Sequence, residues 1–207
     1  MPVAVKICGI TRAEDGVAAA RAGAHAIGLV FYAPSPRNLE VAQALQITRA
    51  LPPFVTAVAL FVDPDPERVR DVVARVPVSL LQFHGNETPE FCRAFGLPYI
   101  KAVHVKPGRD LLQYASGYSD ARGMLFDAYV SGYYGGTGAA FDWSAIPRDL
   151  PLPTILSGGL TPENVARAIR QVRPWAVDVS SGVESGKGLK DAAKIAAFMR
   201  GVRSADV

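Results

Sequence analysis

Val3-Ala4-Val5-Lys6-Ile7-Cys8-Gly9-Ile10-Thr11 opens the chain on a strict alternation. Val3, Val5 and Ile7 form one apolar face, leaving Ala4, Lys6 and Cys8 on the other, because a strand sends successive side chains to opposite sides. The run stops at Cys8-Gly9. After Thr11 the apolar residues recur at three- and four-residue spacing over 14–22, the mark of an amphipathic helix. A thiol therefore stands where a strand ends and a helix is about to begin.

The same unit recurs along the whole chain. Short β-branched or aliphatic runs fall at 3–8, 26–31, 56–62, 79–84, 99–103, 124–127, 154–157 and 176–180. Amphipathic segments separate them at 14–22, 41–50, 67–75, 90–95, 162–172 and 189–202, with a fair helix over 110–118 and only a short turn over 143–146. Alternating strands and helices imply a parallel sheet covered by helices. A repeat of roughly 25 residues taken eight times accounts for the chain, which predicts an α/β fold closed as a single-domain (β/α)₈ TIM barrel over 1–203, compact beside the typical ~250 residues. Residues 204–207 read as a tail. The absence of G-x-G-x-x-G after the first strand argues against a doubly wound dinucleotide-binding sheet. Thr11, Asp65, Thr88 and Thr161 are the expected helix caps, the last three each followed by proline and an acidic residue.

With 49% hydrophobic and 20% charged residues among 207, the chain can bury a core of its own. The formal charge of +3 comes from arginines spread along the chain, and no basic stripe interleaved with aromatics points to a nucleic-acid partner. No apolar run approaches the ~20 residues a bilayer requires, and the first residues lack the pattern of a secretory signal. The expectation is a cytoplasmic protein without a membrane partner. Cys8 and Cys92 offer neither a metal spacing nor a disulfide framework, and Cys92 reads as a small buried apolar residue. His25, His84 and His104 are scattered and predict no metal site.

Period-two alternation turns Lys6 and Cys8, Gln82 and His84, Leu125 and Asp127, and Asp178 toward the barrel interior. The polar ones gather at strand C-terminal ends, where this fold carries its chemistry. Cys8 and Asp127 facing each other would form an acid/base pair. A thiol of pKa near ~8.5 needs a positive neighbour to serve as base; Lys6 and the helix start after Thr11 are candidates. A buried structural thiol fits Cys8 alone equally well, and a loop cap fits Asp127. In an apolar pocket the Asp127 carboxyl would be pushed up and so help donate a proton. Ser157-Gly158-Gly159-Leu160 after the seventh strand and Ser180-Ser181-Gly182 after the eighth expose backbone N–H groups suited to phosphate. The glycines of Tyr134-Gly135-Gly136-Thr137-Gly138 fit either a mobile flap or a third wall. Arg37, in Pro34-Ser35-Pro36-Arg37, could clamp a carboxylate through two parallel hydrogen bonds or be a solvated surface residue. His84 fits a structural role as well as a functional one.

The ordered set Lys6-Ile7-Cys8-Gly9-Ile10-Thr11, Ser35-Pro36-Arg37, Gln82-Phe83-His84-Gly85, Leu125-Phe126-Asp127, Gly135-Gly136-Thr137-Gly138, Ser157-Gly158-Gly159-Leu160 and Asp178-Val179-Ser180-Ser181-Gly182-Val183-Glu184 resembles the phosphoribosylanthranilate isomerase family of tryptophan biosynthesis. Phe83 departs from the leucine of many relatives and should face the helices. The resemblance implies an Amadori rearrangement of N-(5′-phosphoribosyl)anthranilate to 1-(2-carboxyphenylamino)-1-deoxyribulose 5-phosphate. Asp127 would be the general acid that opens the furanose ring, and Cys8 the general base that takes the C2′ proton of the Schiff base. Arg37 would hold the anthranilate carboxylate. Gly159, Ser180 and the neighbouring amides of Gly158, Ser181 and Gly182 would bind the phosphate, with Gly136, His84 and Asp178 as further substrate-binding residues. No metal or organic cofactor is implied, since the substrate's own nitrogen is the electron sink. The implied partner is a small phosphosugar, and the implied state a monomer or homodimer. The histidine-pathway isomerase, which runs the same type of rearrangement, is the nearest rival but has a carboxylate where this chain has Cys8. A non-catalytic phosphometabolite-binding protein is the rival of another class.

Overall fold

A computed structural model describes residues 2–106, 108–128 and 142–205. Eight parallel strands close into a barrel in sequence order: β1 (Ala4–Cys8), β2 (Ala26–Val30), β3 (Thr56–Phe61), β4 (Leu80–Phe83), β5 (Tyr99–Val105), β6 (Met124–Ala128), β7 (Thr154–Leu156) and β8 (Ala176–Val179). β8 returns to β1 with Lys6 opposite Asp178, which completes the predicted (β/α)₈ closure. Outside lie α1 (Ala13–Ala22), α2 (Val41–Ala50), α3 (Pro66–Arg75), α4 (Pro89–Arg93), α5 (Leu111–Ser116), α6 (Val165–Val172) and α7 (Ala192–Arg203). Between β6 and β7 the described residues hold only the 3₁₀ turn Trp143–Ala145, in keeping with the weak helical pattern there. No helix among the described residues is long and apolar enough to cross a membrane.

Alternation along the strands sorts the side chains into two separate apolar regions. Outward residues such as Ile7, Ile27, Phe61, Phe83 and Phe126 join helix residues such as Ile47, Val69 and Phe198 in the large core between barrel and helices. Phe83 does face the helices, where it meets Phe61, Phe91 and Phe95. Inward, Ile100, Ala102 and Leu125 make one layer; Cys8, Val30, Leu60 and Val62 make another near the C-terminal strand ends. Cys92 is buried on α4.

Two predicted caps hold. Asp65 accepts from Glu67 N–H and Thr88 from Phe91 N–H. Two do not. Thr11 instead donates its hydroxyl to the Gly188 carbonyl, and α1 begins after Arg12, which makes no side-chain cap. The Thr161 hydroxyl does accept from Glu163 N–H, but residues 162–164 form a turn, so α6 starts at Val165 rather than at Pro162. The Asn164 side chain, accepting from Thr161 N–H and donating to the Gly159 carbonyl, satisfies those groups outside the helix. The helix expected over 189–202 also starts later: Leu189–Lys190 (β10) pairs antiparallel with Glu184–Gly186 (β9) in a small hairpin that follows β8. At the chain's end, Ser204 N–H bonds back to the Arg200 carbonyl and Ala205 is buried in the core, so the stretch expected as a tail is packed that far.

Candidate active site

The C-terminal ends of the strands surround one cavity lined by Cys8, Arg37, His84, Asp127, Asp178 and Ser180, among others. Six residues singled out from separate stretches of sequence therefore share one chamber. Gly136 lies outside the described residues, as does the rest of 129–141.

Cys8 closes β1 with only 6% of its surface exposed. Its strand neighbour is Gly28, and a Cβ on that glycine would meet Cys8 Sγ at 2.7 Å and Lys6 Nζ at 3.1 Å. Glycine there is what lets a thiol and an ammonium lean over the same spot. Lys6 Nζ bonds Asp178 Oδ1 at 2.9 Å inside the barrel. Burial pushes the Cys8 thiol above its ordinary value; Lys6 and Lys190 pull it down, Asp178 pushes it up, and the net direction is up. At neutral pH in the free protein Cys8 is therefore mainly a thiol.

Across the mouth, Asp127 on β6 is likewise buried. Its Oδ1 accepts the N–H of Ala128 at 2.9 Å, and its Oδ2 lies 3.1 Å from His84 Nε2. Gln82 Nε2 stands 3.0 Å from His84 Nδ1. In that amide orientation Nδ1 accepts, so a neutral ring carries its proton on Nε2 and donates it to the carboxylate. A chain Gln82, His84, Asp127 thus holds the Asp127 carboxyl group in place.

Arg37, 8% exposed, is no surface residue. Its Nε and Nη2 donate to Glu184 Oε1 and Oε2, both at 2.7 Å. Gly9, with φ +74, makes room for it: a Cβ there would run into Arg37 Cδ at 2.3 Å. Glu184 is shared with Lys190, whose Nζ reaches Oε1 at 2.8 Å and the Ser180 carbonyl at 3.1 Å. Burial raises the Glu184 carboxyl, but Arg37 and Lys190 outweigh it and hold the group below its ordinary range. Two donors of Arg37 are thus committed to orienting it. The other edge, Nη1 with the second N–H of Nη2, is the planar fork that fits a carboxylate.

The two glycine loops after β7 and β8 touch each other. Gly158 and Gly159 turn after β7 at φ +80 and +64, and a Cβ on Gly158 would meet Ala128 N at 2.5 Å. Ser180 leads into the 3₁₀ turn Ser181–Val183, and a Cβ on Gly182 would lie 1.9 Å from the Leu160 carbonyl. Side chains are excluded at this contact, so backbone N–H groups of both loops are brought close, the arrangement that receives phosphate in barrels of this kind.

Sequence reasoning missed three contributors. Lys190 falls within the helix expected over 189–202 and Glu184 stands only as part of a motif; the hairpin that joins them has no local signal. His104 reads in the sequence as one of three scattered histidines, although period two on β5 places it inward with Ile100 and Ala102, level with Asp127. Burial and the neighbouring His84 hold its ring well below its ordinary value, at about 4.

Fold and mouth together define a (β/α)₈-barrel enzyme, with acid/base groups and glycine loops at the C-terminal rim. The chain belongs to the N-(5′-phosphoribosyl)anthranilate (PRA) isomerase family, whose pattern it matches over residues 5–201. It is 60% identical over 202 residues to the N-(5′-phosphoribosyl)anthranilate isomerase of Nitrosospira multiformis, covering 98% of this chain and 97% of that one. Among solved structures, phosphoribosyl anthranilate isomerase from Thermotoga maritima is similar at 42% identity and TM-score 0.89, over 98% and 99% of the two chains. A phosphoribosyl anthranilate isomerase solved with reduced 1-(o-carboxyphenylamino)-1-deoxyribulose 5-phosphate is similar at 42% identity and TM-score 0.86, over the same shares.

Proposed function

We propose that this protein isomerises N-(5′-phosphoribosyl)anthranilate to 1-(2-carboxyphenylamino)-1-deoxyribulose 5-phosphate, a step of tryptophan biosynthesis. The observation that carries the reading is the single cavity lined at once by Cys8, Asp127 and Arg37. Family membership supports the substrate.

Asp127 acts as general acid, protonating the furanose oxygen so that the ring opens to a Schiff base at C1′. The Ala128 N–H and His84 Nε2 hold its two oxygens in place for that transfer. Cys8, as thiolate, removes the C2′ proton. The electrons move into the substrate's iminium, giving an enamine-type enol that tautomerises to the ketone. Lys6 is the cation that holds the thiolate fraction up against burial. Arg37, aimed by Glu184, takes the anthranilate carboxylate on its outer edge, while the loops at Gly158–Gly159 and Ser180–Gly182 take the phosphate at the other end. Fixing both ends leaves C1′ and C2′ between the acid and the base, the positioning on which such proton transfers depend.

The test is a fluorescence assay of the purified protein with freshly generated phosphoribosylanthranilate. Loss of the anthranilate-type emission well above the uncatalysed rate is expected; substrate decay at background rate would sink the reading.

A further inference from the structure

Three ligand-type side chains from adjacent strands converge at one side of the mouth. His84, His104 and Asp127 each offer an atom within 4.8 Å of the other two. Strand register brings this about: His104 and Asp127 are direct partners across β5 and β6, and the His84 and His104 ring centroids are 5.4 Å apart.

From this geometry we propose that the triad binds a divalent cation of the zinc and cobalt class, with one nitrogen from each histidine, one oxygen of Asp127, and a fourth position open to the cavity. Zinc bonds of about 2.0–2.2 Å in a tetrahedral site hold ligand atoms about 3.3 Å from one another. His84 Nε2 and Asp127 Oδ2, at 3.1 Å, already stand at that spacing. His104 has only to close a gap of at most about 1.5 Å, within reach of small side-chain rotations. Two imidazoles and a carboxylate prefer Zn²⁺, Co²⁺ or Ni²⁺ to Mg²⁺ or Ca²⁺.

Support behind the ligands is in place too. Asp127 Oδ1 is held by the Ala128 N–H. Ligation through His84 Nε2 requires the ring proton on Nδ1 and an acceptor for it. Gln82 supplies one: its amide lies 3.0 Å from Nδ1, and its Oε1 has no partner among the described residues, so a half-turn of the amide presents the oxygen to Nδ1–H. The amide can serve either tautomer.

A cation seated there occupies the Asp127 oxygen that the proposed reaction uses, so the loaded protein should be inhibited. That consequence rests on the proposed acid role; binding itself does not.

The experiment uses the full chain stripped by chelator, titrated with Zn²⁺ by calorimetry and with Co²⁺ by visible absorption. One ion per chain is expected, with the intense d–d bands of a low-coordinate site and no thiolate-to-cobalt charge-transfer band in the near ultraviolet. His104→Asn should weaken affinity at least tenfold and move any inhibition to correspondingly higher Zn²⁺, read against the variant's own metal-free turnover; His104→Leu provides a second variant should the first unfold, and Cys8→Ser should bind as the wild type does. Absence of saturable one-site binding, a charge-transfer band, or binding abolished by Cys8→Ser but not by His104→Asn would overturn the proposal. Tight one-site binding lost in His104→Asn but without inhibition of the wild type would uphold the site and count against the acid role of Asp127.

Discussion

Replacing Lys6 by Met keeps the volume inside the barrel nearly constant and removes the cation that faces Cys8. Lys6 Nζ and Cys8 Sγ lie 3.1 and 2.7 Å from one point, the position a Cβ would take on Gly28, and so are at most about 6 Å apart. At an effective dielectric constant of about 20, opposite unit charges ~6 Å apart attract by about 3 kcal/mol. Since about 1.4 kcal/mol is a factor of ten, thiolate should fall about 100-fold at a given pH. The sign is clear: a nearby cation favours the charged thiol, so its loss pushes Cys8 further up, and Asp178, left without its partner, pushes the same way. Activity at pH 7 should therefore drop about 100-fold, with the rising limb of kcat/KM displaced to higher pH and the gap to wild type closing as pH increases. Iodoacetamide alkylation across pH measures the thiolate directly. Cys92 stays silent in it, being fully buried and pushed up to about 12. Breaking a buried ion pair costs about 3–5 kcal/mol of stability, so the double variant Lys6→Met/Asp178→Asn is the control. It removes both charges, should recover part of the melting temperature, and should recover part of the alkylation rate. Alkylation and pH–rate profiles that superimpose on those of the wild type would refute the coupling of Lys6 to Cys8.

Cys8→Ala and Asp127→Asn should each lower turnover by about two to four orders of magnitude while binding of a phosphate ester is largely kept; near-normal turnover in either folded variant rules out the assigned pair. Arg37→Ala should mainly raise KM by removing the carboxylate fork, and Glu184→Gln should raise it less, because the guanidinium stays but keeps only one, uncharged, acceptor of the two that aim it; steady-state kinetics with unchanged KM in both would exclude the clamp. Gly182→Ala forces a methyl group against the Leu160 carbonyl and must spread the two loops, so phosphate-ester affinity should fall while alkylation of Cys8 is unaffected. Equal affinity by calorimetry would remove those loops from the phosphate site. In the wild type, the upward direction for Cys8 predicts kcat/KM still rising above pH 7; a flat profile there would argue against a thiolate base.

Much of the site could be read in advance because a barrel strand announces its two faces locally. Alternation alone aimed Cys8, His84, Asp127 and Asp178 inward, and glycine turns marked the loops after β7 and β8. Helix starts were legible where the cap acts within its own turn, as at Asp65 and Thr88. At Thr11 the reading failed because a distant partner took the side chain: its hydroxyl goes to Gly188, far along the chain. The β9–β10 hairpin was hidden for a related reason. Its second strand carries Lys190, whose place is set by burial against Glu184 and Ser180 rather than by any turn signal of its own.

By itself, then, the sequence determined the eightfold strand–helix alternation, the face each strand residue presents, and the rim on which the chemistry collects, since these follow from periodicity over a few residues. Only the closed barrel decided which of those residues meet. Lys6 finds Asp178 because β8 returns to β1. His84, His104 and Asp127 meet because β4, β5 and β6 are neighbours in register. Arg37 is turned from an apparent surface cation into a buried fork by Glu184, 147 residues away. Pairings of this kind depend on distances across the mouth, and distance across a closed sheet is a property of strand number and stagger that no local pattern carries.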